Sequence, residues 1–244
     1  MTSQRVVQLV RLGRMQYGIT LNIQNSLVQR HLETNEQSAL GKSNELLQQL
    51  KLKNEHDEIL DKLILVEHEP VYTIGKRTKE YTLEERQRLE ALGADFYKTN
   101  RGGLITYLVP GQLVAYPILN LANYKPSIKW YMDSLTDAII NTCRQFNIEA
   151  SSSSDVGVWV GNNKICAMGV HASVHASRFI TMHGIALNCN TDMTWFEHIV
   201  PCGLVGKGVT SISQELNQNV TIDDAEGPFL KSFSDFFKCE IVEI

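Results

Sequence analysis

The short apolar runs of this chain come in adjacent pairs, and stretches of helical periodicity separate the pairs. Leu63-Ile64-Leu65-Val66 is followed, across a turn at Pro70, by a second run over Val71–Ile74. Other runs lie at 4–12, near 103–107 and 113–119, and at 156–160, 164–170 and 178–188. All are of strand length and bounded by turn-forming residues. A doubly wound parallel fold alternates single strands with single helices. Paired strands predict instead an α/β (α+β) fold, a mixed sheet with flanking helices.

The helices announce themselves by spacing. Ile19, Ile23 and Leu27 repeat at four residues and predict a helix over about 15–32. Thr82 and Glu85 form a capping-box pair opening a short helix that Gly93 closes. Ser127 is placed to cap a longer helix. Its buried stripe is Ile128, Tyr131, Leu135, Ala138, Ile139, Thr142 and Phe146. Phe229, Phe233 and Phe237 predict a last helix that packs an aromatic face on the core. Ser151 to Ser154 read as a turn. The expectation is one domain over residues 1–244, carrying a polar insertion at about 33–58.

Composition removes several classes of function. At 244 residues, 43% hydrophobic and 20% charged, the chain is an ordinary globular one. A net charge of −4 argues against nucleic-acid binding, and no apolar run is long enough to span a membrane. Five cysteines without a CxxC pair argue against structural zinc and for a reducing compartment. Four of them, Cys143, Cys166, Cys189 and Cys239, read as small buried hydrophobes. Arg5, Arg11, Arg14 and Arg30 all precede the first acid, Glu33, as in a mitochondrial transit peptide. The same start carries Val6, Val7, Leu9 and Val10 and reads as a core strand, so a targeting signal would overlap the fold.

The candidate site residues are few. His171, His175 and His183 sit on strand and turn without a partnering carboxylate, so no metal is expected. The Gly203 to Ser211 stretch fails as a phosphate loop, because Gly208 follows Lys207 where Ser or Thr is required. Arg101-Gly102-Gly103, with Pro110-Gly111-Gln112 after it, allows close backbone approach beside a planar donor fork. Cys202 lies between Pro201 and Gly203, where a tight turn exposes a thiol. A free thiol is mostly protonated at neutral pH, so it needs a nearby cation or base. Lys164, opening a strand after a turn, can supply one if the fold brings the two together.

Five segments together resemble the lipoyl(octanoyl) transferase family. They are Glu67 to Gly75 (EHEPVYTIG), Arg101 to Tyr107 (RGGLITY), Lys164 to Val170 (KICAMGV), His183 to Asn188 (HGIALN) and Pro201-Cys202-Gly203. The resemblance implies a fold like the catalytic domains of biotin and lipoate protein ligases. It implies transfer of octanoyl from acyl carrier protein to one lysine of a lipoyl domain, in 2-oxoacid dehydrogenase complexes and the glycine-cleavage H protein. By the same resemblance Cys202 is the thioester nucleophile, and Lys164 lowers the thiol pKa and accepts protons. Arg101, Gly102, Gly103, Leu104, Ile105, Thr106, Tyr107, Leu108, Ala167, Met168, Gly169, Gly184, Ile185 and Ala186 line the substrate site. No cofactor or metal is implied, since exchanging thioesters needs no ATP, and the expected location is mitochondrial, with the bacterial cytoplasm as the alternative. One departure stands out. Leu108-Val109 replaces the His-Gly of the family, which leaves a non-catalytic acyl-carrier or lipoyl-domain binding protein as an alternative. An ATP-dependent lipoate-protein ligase is the other.

Overall fold

The computed structural model describes residues 5–32, 61–76, 81–175, 178–199 and 206–243. The insertion at 33–58 therefore lies outside the described residues, as do Pro201, Cys202 and Gly203.

A large mixed sheet organises the molecule. Its strands are β1 (Arg5–Met15), β2 (Lys62–His68), β6 (Gln112–Ile118), β7 (Ser151–Ser152), β8 (Val158–Val160), β9 (Asn163–His175), β10 (Arg178–Asn188), β11 (Gly208–Val209) and β12 (Cys239–Glu243). Their order is β12-β1-β2-β6-β10-β9-β8-β7, with β11 added beside β9. β1 runs parallel to both β2 and β12, whereas β6, β10, β9 and β8 pair antiparallel. The mixed sheet read from paired strands is thus present. A second sheet of three strands, β4 (Asp95–Lys98), β3 (Val71–Ile74) and β5 (Thr106–Leu108), sits apart. The turn at Pro70 sends the chain from one sheet to the other.

Alternation along the central strands divides the core between two faces. In β2, Leu63 and Leu65 face one cluster while Ile64 and Val66 face the other; in β6, Leu113 and Ala115 oppose Val114 and Tyr116. Two helices cover the first face, α3 (Ile128–Gln145) and α5 (Ile222–Phe237). The expected stripe of α3 is buried from Tyr131 to Thr142, with Ile128 and Phe146 packed at its margins. Phe229, Phe233 and Phe237 are fully buried, and the last two stack 4.3 Å apart. The opposite face is covered by α1 (Tyr17–Leu32), through Ile23 and Leu27. Among the described residues the remaining α-helices are short: α2 (Leu83–Glu90) and α4 (Ile212–Leu216).

Three local expectations need correction. The Thr82 hydroxyl caps α2 by accepting from Glu85 N, but the Glu85 carboxylate pairs with Arg88 instead of returning to close the box. The strand expected at 103–107 begins only at Thr106, because residues 101–104 fold back around the Arg101 side chain. Ser151 and Ser152 are strand, paired with Trp159 and Val158.

Candidate active site

The site grows from the meeting of the two sheets. Ile74 ends β3 and Gly75 follows. A Cβ at Gly75 would come within 2.3 Å of the Gly103 carbonyl and 2.7 Å of that of Arg101. The loop at 99–105 therefore lies directly on Gly75. It is tied there by Lys76 N donating to Arg101 O and Thr99 Oγ1 donating to Ile74 O, at 3.0 and 2.9 Å. Gly102 N donates to Val170 O across the gap, which fastens the loop onto β9.

Arg101 departs from its sequence reading. Its guanidinium turns inward, donating to Thr73 O at 2.6 Å, to Thr73 Oγ1, and to the carbonyls of Gly102 and Leu104 at 2.8 and 2.9 Å. The planar fork shapes its own loop before it meets any ligand. Gly169 on β9 makes room for it, since a Cβ there would lie 3.0 Å from Arg101 Cδ.

Beneath the loop lies a cavity of about 300 Å³, at the small end of ligand pockets. Of the fourteen residues expected at a substrate site, eleven line this cavity. They are Arg101, Gly103, Leu104, Thr106, Leu108, Ala167, Met168, Gly169, Gly184, Ile185 and Ala186. Gly102 sits outside the wall. Ile105 and Tyr107 are also absent, Tyr107 because β5 alternates and Ile105 because the residue before β5 turns the same way. Their side chains are buried in the satellite core of the small sheet, where Tyr107 stacks on Trp195 at 5.2 Å. Leu108 faces the cavity, and Val109 packs into that same satellite core.

Sequence reading missed Tyr17, Thr73, Val114, Tyr116, His183 and the segment Ser154-Asp155-Val156, which complete the wall. The period of two along β6 puts Val114 and Tyr116 on one face and could have found them. Nothing local marks Tyr17 or residues 154–156.

Two histidines order the polar side of the cavity. His68 is fully buried, with Nδ1 2.9 Å from Met15 O and Nε2 2.9 Å from the Tyr116 hydroxyl. A carbonyl can only accept, so Nδ1 carries the proton and Tyr116 donates to Nε2. Burial holds His68 neutral, its pKa pushed down to about 4. His183 donates from Nε2 to Asn100 Oδ1 at 2.6 Å. Burial, with the Arg101 charge nearby, lowers its pKa to about 3. His183 also holds a left-handed φ of 57°, uncommon for a non-glycine residue, and its N–H donates to Gln24 Oε1. His171 lies apart, its Nδ1 facing Lys76 Nζ at 3.4 Å. Among the described residues no cluster of His, Cys, Asp or Glu could hold a metal ion.

Cys143, Cys166, Cys189 and Cys239 are buried, as expected. Burial pushes the thiols of Cys143, Cys189 and Cys239 up to about 12, and that of Cys166 well above its usual value. Such thiols are poor nucleophiles. Lys164 is only 4% exposed. It does not line the cavity. Its ammonium lies 4.7 Å from the centre of the Trp159 ring, and the Trp159 indole donates to the carbonyl of Asp155, a wall residue.

With this geometry in hand, the relatives are informative. The lipoyl protein ligase A/B catalytic domain family matches residues 35–234. The mitochondrial octanoyl-acyl-carrier-protein:protein N-octanoyltransferase of Danio rerio is 49% identical over 98% of this chain and 96% of its own length. The octanoyltransferase of Flavobacterium psychrophilum is 40% identical over 98% and 99%. Among solved structures, a lipoate-protein ligase A bound with ATP superposes with a TM-score of 0.70, covering 98% of this chain and 88% of that one. At 14% identity that likeness speaks for the fold alone. The chain belongs to the octanoyltransferases of the lipoyl protein ligase A/B catalytic domain family.

Proposed function

We propose that this octanoyltransferase moves an octanoyl group from acyl carrier protein to a specific lysine of a lipoyl domain, by way of a thioester on Cys202. The observation that carries this reading is convergence. Segments distant in sequence, 101–108, 167–169 and 183–186, wall one cavity with an apolar side built from Leu108, Val114, Ala167, Met168, Ile185 and Ala186. A cavity of this kind suits an alkyl chain.

The chemistry balances without a cofactor. The Cys202 thiolate attacks the thioester carbonyl of the donor, the bond to the carrier thiol breaks, and that thiol leaves. The acceptor lysine then attacks the Cys202 thioester, an amide forms, and Cys202 is expelled as thiolate while the amine gives up a proton. The Lys164 ammonium favours the Cys202 thiolate and gives its proton to the departing carrier thiolate, and the neutral amine that results accepts the proton released by the acceptor lysine. Splitting the transfer into two displacements is the usual gain of covalent catalysis. Leu108, in place of the family's histidine, keeps that stretch of wall apolar and compatible with the chain.

The acceptors in this reading are the lipoyl domains of 2-oxoacid dehydrogenase complexes and the glycine-cleavage H protein. The site of action is the mitochondrion, supported by the relative from Danio rerio, which is named as mitochondrial. A tagged full-length protein that stayed cytosolic in a eukaryotic cell would refute the location. Among the described residues no helix is long and apolar enough to cross a membrane.

The test is intact mass after incubation with octanoyl-acyl carrier protein. An octanoyl adduct that hydroxylamine removes, absent from Cys202→Ser, is expected. Carrier binding without an adduct would overturn the covalent mechanism and favour a binding protein.

A further inference from the structure

We propose that Trp159 is a positioning residue for Lys164, fixing where its ammonium can act; the inference rests on the role given above to Lys164 as the cation that favours the Cys202 thiolate.

The geometry begins with register. Trp159 on β8 pairs directly with Lys164 on β9, next to an irregularity between Val158 and Trp159. Opposed residues of an antiparallel pair share a face, and a bulge beside them re-aims the side chains. The indole is itself held, because Nε1 donates to Asp155 O at 3.1 Å. Gly157 then leaves a path for the lysine stem: a Cβ there would approach Lys164 Cε and Cδ at 3.1 and 3.2 Å. Backbone pairing of β9 with β11, through Val209 opposite Lys164 and Thr210 N donating to Lys164 O, fixes the other side.

An ammonium withdrawn from water needs compensation, and the face of a tryptophan is the strongest aromatic partner available. The same ring takes a second cation. Lys207 Nζ lies 4.6 Å from the Trp159 centre and pairs with Asp155 Oδ2 at 2.5 Å. Asp155 therefore balances one ammonium while its carbonyl orients the ring that receives both. A merely space-filling tryptophan would not need the anchored N–H.

The test measures single-turnover acylation by octanoyl-acyl carrier protein in the full-length protein, together with KM for the donor and the thermal midpoint. Trp159→Leu should lower the acylation rate about thirtyfold, the scale of a desolvated cation–π contact, with donor KM unchanged. Trp159→Phe should recover most of the rate. In a Lys164→Met background, Trp159→Leu should cost nothing further. Equal losses in the Phe and Leu variants, tracking the thermal midpoint, would overturn the inference, as would a full additional loss in the Lys164→Met background. Undiminished acylation in Lys164→Met alone would instead overturn the role of Lys164.

Discussion

Two lysines stand near the starts of strands in the same sheet, and both are buried. Lys62 opens β2 and is fully buried; Lys164, one residue into β9, is 4% exposed. Their surroundings differ in kind. The Lys62 ammonium donates to the Gln8 side-chain oxygen on the neighbouring strand, beside the buried carboxyl of Asp61. Asp61 in turn accepts from Asn120 N at 2.8 Å. That region is closed, its polar groups directed at one another across β1 and β2. Lys164 has an aromatic face beside it, a second ammonium on the same ring, and Asp155 leading to the cavity wall. Burial of a charge does not by itself mark a site. What distinguishes the two is whether the neighbouring groups reach toward space a ligand can fill.

Substituting the two lysines should separate these roles most sharply. Lys164→Met is expected to cut octanoyl transfer by about 10²- to 10⁴-fold, the range for a lost proton acceptor, in a protein that still folds cooperatively. Steady-state kinetics and circular dichroism together check this, and near-normal turnover would break the contrast. Lys62→Met should do the reverse. Removing one member of a buried polar network costs about 3 kcal/mol of stability, read as a lower urea midpoint, while turnover per folded molecule is retained.

Acid should act on both regions, through the cavity histidines on one side and Asp61 on the other. His68 and His183, with pKa values held down to about 4 and about 3, are neutral in the fold, whereas the unfolded chain takes up their protons below about pH 6.5. Their stabilisation is complete above that pH and is lost as pH falls toward the folded values. Asp61 works in the opposite sense. Burial raises it to about 6, so the fold regains stability from it as pH drops from 6 toward 3.8. The histidines win, and a net loss of about 2 kcal/mol is expected between pH 7 and pH 5. Urea titrations at the two pH values measure it. Asp61→Asn removes the offset and should steepen the loss; an unchanged slope would show that the Asp61 region is not titrating.

The smallest effect belongs to the rim of the open region. Asp155 and Lys207 are each about a third exposed, so solvent screens their pair. Asp155→Asn should lower stability by less than about 1 kcal/mol, diminishing further in high salt. A larger loss, insensitive to salt, would mean that this region is as closed as the one around Lys62.

The parts of this architecture legible in the sequence are those whose signal is local. The Phe229, Phe233 and Phe237 row and the α3 stripe needed only a helical period. Arg178–Asn188 coincides with β10 because apolar and strand-forming residues lie on both sides of His183-Gly184. The five family segments named most of the cavity wall before any geometry was known. Tyr107 was misplaced because motif membership says nothing about which way a strand residue points. Sequence does not reveal that the Thr73 and Leu104 carbonyls lie within reach of Arg101, which lines the cavity while holding its own loop.

The sequence alone determined the fold class, the family and the chemical character of the candidate nucleophile and base, since these depend on residue type, order and period. Only the tertiary structure decided that Tyr17, Tyr116 and His183 share a wall with Leu108, that His68 fixes the Tyr116 hydroxyl, and that Lys164 rests against Trp159. Those relations are set by strand register and by the crossing of two sheets. Both emerge from contacts between residues far apart in the chain, and no local pattern encodes them.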